Sequence, residues 1–308
     1  MSAESRGRRR TVVVTGASAG LGYHAAEQLA AAGHRVVLAT RDPARGAAAE
    51  RSIRRHVDDA DLAQLHLDLA DLDSVRSAAD ELARSEPDGV DALLNNAGVV
   101  GSSALRRTAQ GTELQTGTNH LGHFAWTART LPLLERRRGR VVHVGSIAHR
   151  WARLDPSDPL GAGHYSSYRQ YARSKLAVML FGFELAERLA DAGSAVSSVV
   201  AHPGLSLDAL SPARPDVRPS RTDPGWIRPA ERLYAQGKDA GAVPLVHAAV
   251  GDDVRSGSYW GPAGWMQLRG PAAVVAAEPR AHDRAEAARA WVASERAAGV
   301  AFALDALV

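Results

Sequence analysis

Tyr171 and Lys175 lie four residues apart in Tyr171-Ala172-Arg173-Ser174-Lys175, a spacing that puts both on one face of a helix. An ammonium beside a phenol favours the phenolate and draws its pKa down from about 10, which makes Tyr171 a candidate acid/base. The lysine is informative in itself. Among 37 basic residues only Lys175 and Lys238 are lysine, and all others are arginine. Where any positive charge suffices, this chain uses arginine, so a retained lysine points to a task for a compact, rotatable ammonium. The same spacing also occurs on many solvent-facing helices. The pair therefore needs a cofactor, an orienting group and a cleft from the rest of the chain.

A nucleotide site is the first of these to look for. The β-branched run Thr11-Val12-Val13-Val14 leads into Thr15-Gly16-Ala17-Ser18-Ala19-Gly20-Leu21-Gly22 and then a helical pattern through Ala32. In a strand–turn–helix, glycines let the backbone approach a pyrophosphate that the helix N-terminus then binds. Ser18, Ala19 and Leu21 share that turn with Gly16, Gly20 and Gly22. The glycine spacing departs from G-x-G-x-x-G, and such a turn can also serve packing alone.

The second strand, Arg35 to Thr40, ends at Arg41, where a dinucleotide site often carries an acid for the ribose hydroxyls. A guanidinium grips a 2′-phosphate that a carboxylate would repel, so the expected cofactor is NADP, with NAD less favoured. Asp42 could cap the next helix or serve a ribose hydroxyl. The third strand, Leu62 to Leu67, is followed by Asp68-Leu69, a candidate adenine contact. Asp68 competes with Asp71 to cap the helix near Leu72. Asn96, Ala97 and Gly98 follow a short fourth strand, Ala92-Leu93-Leu94.

Asn119 sits in a predicted helix over 112–134, either exposed or breaking the helical ladder to hold a water. Ser146 closes a fifth strand, Arg140 to Gly145, where its hydroxyl and that of Tyr171 can share one carbonyl oxygen. Pro203 and Gly204 follow a sixth strand, Val196 to Ala201. The long segment 147–170, with Trp151, Pro156, Pro159, Gly161, Gly163 and His164, reads as a binding wall or lid, and 205–230 as a flap. Trp226 and Ile227 adjoin a further helix. Helices are also predicted over 240–250 and from Pro279 onward, with a last strand at Ser258-Tyr259-Trp260. The alternation of strand and helix predicts a single-domain α/β fold, a doubly wound parallel sheet with right-handed crossovers (Rossmann fold).

Composition excludes several classes. A chain of 308 residues, 45% hydrophobic and 23% charged, is ordinary for a globular protein, and a net charge of +3 makes no case for nucleic acid. The basic excess sits in two runs, Arg6 to Arg10 and Arg136 to Arg140. Residues 1–9 are expected to be a disordered arm ahead of a domain spanning 10–308; the second run is expected to be the solvated last turn of a helix. With no cysteine there is neither a disulfide framework nor a thiolate nucleophile, and no metal site is expected. No apolar run suggests a signal peptide or a membrane span, so a cytoplasmic location without membrane partners is expected.

Taken together, Thr15-Gly16-x-x-x-Gly20-x-Gly22, Asn95-Asn96-Ala97-Gly98, Asn119, Ser146, Tyr171-x-x-x-Lys175 and Pro203-Gly204 resemble a short-chain dehydrogenase/reductase over roughly residues 10–300. The His202-Pro203-Gly204 spelling, Tyr259-Trp260-Gly261-Pro262 and the segment from Trp291 to Glu295 look most like the retinol dehydrogenase and protochlorophyllide reductase branch. The resemblance implies that Tyr171 exchanges the proton at the substrate oxygen and Lys175 lowers its pKa and holds the nicotinamide ribose. It further implies that Ser146 positions the carbonyl, and that Asn119 holds a water linking Lys175 to solvent. Two departures stand out. Asp208 replaces the threonine that often touches the nicotinamide amide, and no cysteine is present for light-driven protochlorophyllide reduction. The expected activity is NADP(H)-dependent interconversion of a carbonyl and an alcohol on a bulky, fairly apolar small molecule. The Arg- and Ala-rich composition points, by association, to a bacterial secondary metabolite. Epimerisation, C=C reduction and a non-catalytic cofactor sensor are the rival readings; oligomeric state is left open between monomer and homodimer.

Overall fold

Val12, Val13 and Val14 of β1 (Thr11–Thr15) are fully buried and divide between two apolar layers. Successive residues of a strand face opposite sides, and a parallel sheet covered on both sides needs apolar residues on both. Val12 and Val14 face α1 (Gly20–Ala31) and α2 (Pro43–His56), among Ala25, Leu29 and Ile53. Val13 faces α3 (Leu72–Ser85), α5 (His123–Glu135) and α6 (Ser167–Asp191), among Leu82, Phe124 and Leu185. This computed structural model describes residues 8–101, 104–155, 158, 160, 165–219 and 234–304. Pro156, Pro159, Gly161, Gly163, His164, Trp226, Ile227 and the 220–230 part of the expected flap lie outside the described residues.

The main sheet continues with β2 (Arg35–Thr40), β3 (Leu62–His66), β4 (Ala92–Asn95), β5 (Arg140–Val144) and β6 (Ser197–Ala201), all parallel. A short pair, β7 (Ser206–Leu207) and β8 (Gln236–Gly237), lies apart from it and leads into α7 (Lys238–Val250). β9 (Tyr259–Pro262) pairs parallel with β6, and β10 (Ala272–Val274) pairs antiparallel with β9. The strand order is β10-β9-β6-β5-β4-β1-β2-β3. The expected doubly wound sheet is therefore present with one antiparallel edge. The chain leaves β1 in one direction through β2 and β3, then returns to β4 on the other side. Ligands of such sheets bind in the crevice opened by that reversal, at the carboxyl ends of β1 and β4.

The helix predicted over 112–134 is broken in the structure: α4 (Leu114–Thr116), a π-helical segment (Gly117–Gly122) and α5 follow one another. The final helix, α8 (Arg284–Ala298), packs on α6, with Arg188 stacked 4.3 Å over the Trp291 ring.

Candidate active site

Lys175 Nζ donates a 2.7 Å hydrogen bond to the carbonyl of Val144, the last residue of β5. The side chain is 6% exposed, and burial pushes its pKa down to about 8, so the ammonium persists at neutral pH but lies close to titration. Tyr171 lies one turn earlier on α6 and packs against the cluster of Ala148, Leu176 and Leu180. Ser146 follows β5 and caps the 3₁₀ helix Ile147–Trp151, its Oγ accepting from the Ala148 amide at 3.2 Å. That leaves the Ser146 hydroxyl proton to donate elsewhere. His149 holds this turn. Its Nε2 accepts from the Glu278 amide (3.3 Å), so Nδ1 carries the proton and donates to the Ser146 carbonyl at 2.6 Å.

Asn119 lies in the π-helical segment, where a break in the ladder frees groups for other partners. Its Oδ1 accepts from the Val99 amide (2.8 Å), and its Nδ2 donates to the Val99 carbonyl (3.1 Å) and to Ser174 Oγ (3.0 Å). Ser174 in turn donates to the Tyr171 carbonyl at 2.8 Å. Asn119 is thus tied to the second turn of α6 through Ser174, a residue whose part the sequence did not disclose.

Thr15 organises the crevice at the carboxyl ends of β1 and β4. Its Oγ1 accepts the amides of Asn96 and Ala97, both at 2.9 Å, and lies 2.9 Å from His123 Nε2. His123 Nδ1 faces the Asn119 carbonyl at 3.0 Å and must donate to it, which leaves Nε2 to accept the Thr15 proton. Burial, reinforced by the nearby Lys175 charge, pushes His123 down to about 4 and keeps it neutral. Asn96 Nδ2 also donates to the Thr15 carbonyl (2.8 Å). Gly16 has φ +68, and a Cβ on Gly22 would collide with Asn96 Nδ2 and the Gly16 carbonyl. Ala19 caps α1 with no side-chain hydrogen bond, and the first turn holds no acid. Its amides therefore face the crevice end without a competing carboxylate. Thr15 and His123 were legible only as a polar residue closing an apolar strand and a histidine in an apolar helix.

Past β2, Asp42 is committed as the cap of α2, accepting from the Ala44 and Arg45 amides at 2.9 and 3.2 Å. Arg41 is exposed and has no carboxylate partner among the described residues. Asp71, not Asp68, caps α3. Asp68 Oδ1 instead accepts from the Ala70 amide (2.9 Å), and Leu69 is buried against Gly122 of the π-helical segment.

Past β6, His202 Nδ1 accepts from the Gly204 amide (3.2 Å) and fixes the Pro203-Gly204 turn; burial pushes this ring down to about 3. Pro203 accepts hydrogen bonds from Ser206 Oγ (2.8 Å) and Gln236 Nε2 (2.9 Å). Asp208 is paired with Lys238, so both lysines of the chain lie at this end of the sheet. Arg214 forks onto Glu27 of α1 (2.7 and 2.9 Å), and Arg55 of α2 pairs with Asp216 at 2.8 Å. Over residues 205–219 the expected flap is thus fastened to α1, α2 and α7.

The reversal point, the glycine turn and the groups gathered around Tyr171 define a Rossmann-type α/β fold of the oxidoreductase kind. The model of the short chain dehydrogenase family matches residues 10–211, and the chain belongs to that family, whose members act on CH–OH and C=O groups. It lies in a retinol dehydrogenase-like branch. "Dehydrogenase/reductase SDR family member 13" from Bos taurus is 37% identical, over 97% of this chain and 76% of that protein. "Retinol dehydrogenase 13" from Homo sapiens is 33% identical, over 94% and 85%. A crystal structure of an uncharacterized protein from Mycobacterium paratuberculosis, 36% identical, matches with a TM-score of 0.77 over 95% of this chain and 94% of that one.

Proposed function

We propose that this oxidoreductase interconverts an alcohol and a carbonyl on a bulky, fairly apolar small molecule, using NADP(H). The observation that carries the reading is Lys175. A buried ammonium is held by a strand-end carbonyl, one turn from a tyrosine, in a chain that otherwise uses arginine.

The residues present fit a dinucleotide. The uncapped α1 N-terminus and the 16–22 turn would take the pyrophosphate, and Arg41, with no carboxylate partner among the described residues, the 2′-phosphate. Asp68 and Leu69 would border the adenine, Asn96 to Gly98 the middle of the crevice, and Pro203-Gly204 the nicotinamide. When bound, the nicotinamide would supply or accept the hydride. Tyr171 would move the proton at the substrate oxygen, and Ser146 would donate a hydrogen bond to that oxygen. Lys175 would stabilise the Tyr171 phenolate and hold the ribose. Asn119, through Ser174 and the Tyr171 carbonyl, would hold the start of α6 in place.

The rim supports an apolar substrate. Trp151, at the end of the 3₁₀ helix that Ser146 caps, is 65% exposed; Trp265 is 72% exposed and Met266 is half exposed. Arg150 donates to the Met266 carbonyl at 3.4 Å, which joins the two turns that carry them. The name of the human relative designates retinol, an alcohol of this kind.

Retinoid-sized aldehydes and ketones, incubated with deuterated NADPH or NADH, test the reading. Deuterium should appear at a carbinol carbon, and Tyr171→Phe should lower kcat about a hundred- to ten-thousandfold. Label at a former C=C carbon, or full turnover by the phenylalanine variant, would overturn it.

A further inference from the structure

The two arginine runs of the sequence meet. Arg8 and Arg10, from the arm expected to be disordered, line one pocket with Arg137, Arg138 and Arg140 from the turn expected to be solvated. The pocket lies at the amino ends of β1, β5 and β6, the opposite edge of the sheet from Tyr171 and Lys175. Asp91 is the single carboxylate in its lining: it pairs with Arg8 (2.9 Å) and Arg137 (3.3 Å) and accepts from the Thr11 amide (2.8 Å).

Five guanidiniums line the pocket with Asp91, while Asp252, paired with Arg10, and Asp253 lie close outside the lining; the cluster still carries excess positive charge, and like charges gathered in one place repel. Part of the cluster has a structural task. Arg140 donates to the carbonyls of Ala248, Gly251 and Val254, closing the carboxyl end of α7, and Arg10 donates to that of Val250. Burial, with Arg10 adding repulsion, lowers the Arg140 pKa. Arg137 is bonded only through one terminal nitrogen, to Asp91, and Arg138 has no side-chain hydrogen bond or ion pair among the described residues. Arg137 Nε is buried without a hydrogen-bond partner among the described residues, and Arg138 takes the unusual φ of +52 at the pocket rim.

We infer that this pocket is an anion site for a phosphoryl or pyrophosphoryl group of a soluble small molecule, gripped by Arg137 and Arg138 and separate from the cofactor crevice. Planar guanidiniums match phosphate oxygens two by two. The volume, about 140 Å³, holds a few waters at their ~30 Å³ liquid share but falls short of the ~300–1,000 Å³ of drug-sized sites, so it suits a phosphoryl head group and not a whole dinucleotide. Ala249 is the one apolar side chain in the lining, which favours a soluble ligand over a lipid surface.

The test is titration of inorganic pyrophosphate into the holoenzyme, its crevice saturated with NADPH, by calorimetry at fixed ionic strength. One saturable site per chain is expected, weakening as NaCl rises. Arg137→Ala and Arg138→Glu should each weaken it roughly tenfold or more, the worth of one charge-assisted hydrogen bond, while turnover is unchanged. Arg138 is exposed, so its variant decides the matter if Arg137→Ala fails to fold. No saturable pyrophosphate binding, binding that both folded variants retain, or capture only by vesicles containing phosphatidic acid would overturn the inference.

Discussion

Asp208 and Lys238 form an ion pair across the two strands that carry them out of β7 and β8. Each side chain is 11% exposed, so neither charge is well solvated. The pair joins the turn after Pro203-Gly204 to the first residue of α7. Removing one partner leaves a nearly buried charge without its ion-pair counterpart. Asp208→Asn or Lys238→Met should therefore cost roughly 2–4 kcal/mol, at the lower end for buried pairs. The double variant Asp208→Leu/Lys238→Met should recover much of that loss. Urea melts of the three variants check this; losses that simply add would rule out the coupling.

Lys175 predicts a dependence of stability on pH. Its pKa is about 8 in the folded protein and about 10.4 when unfolded, so between those values the unfolded chain holds more protons. Stability of the cofactor-free protein should then rise with pH across that window, by up to about 3 kcal/mol, because the penalty for burying the ammonium disappears on deprotonation. Lys175→Met should be more stable than the parent at pH 7 and lack the slope. Parallel denaturation curves at pH 7 and 10 decide it.

Arg41→Ala should raise KM for NADPH about tenfold while leaving KM for NADH nearly unchanged, since only the former carries a 2′-phosphate. Steady-state kinetics with both cofactors measures this. Asp42 is occupied as the α2 cap.

Thr15→Val keeps the shape of the β1 terminus but strands the Asn96 and Ala97 amides and the His123 Nε2 acceptor. A loss of about 2 kcal/mol or more in stability is expected from the unsatisfied buried groups, together with weaker cofactor binding. Thermal melts with and without NADPH separate the two effects.

The contrast between Tyr171 and Asp208 shows what the sequence could and could not convey. Tyr171 and Lys175, the glycine turn and the alternating strands are local patterns, each readable from spacing within a few residues. The Asp208–Lys238 pair spans thirty residues, and the meeting of Arg8 with Arg137 spans more than a hundred; nothing local announces either. Where two residues competed for one role, only coordinates could choose, as when Asp71 took the α3 cap and left Asp68 to a turn. The π-helical segment around Asn119 reads in sequence as ordinary helix, because the partners of the Asn119 side chain, Val99 and Ser174, lie far from it in the chain.

The scarcity of lysine has a practical corollary. Both lysines are largely enclosed, with whole-residue exposures of 6% and 9%, so amine-directed labels and cross-linkers would meet almost no lysine target on the folded protein. Acylation of Lys175 would then be a rare event with a clean mass signature. Its rate, followed as cofactor is added, would serve as a chemical gauge of how often the crevice stands open.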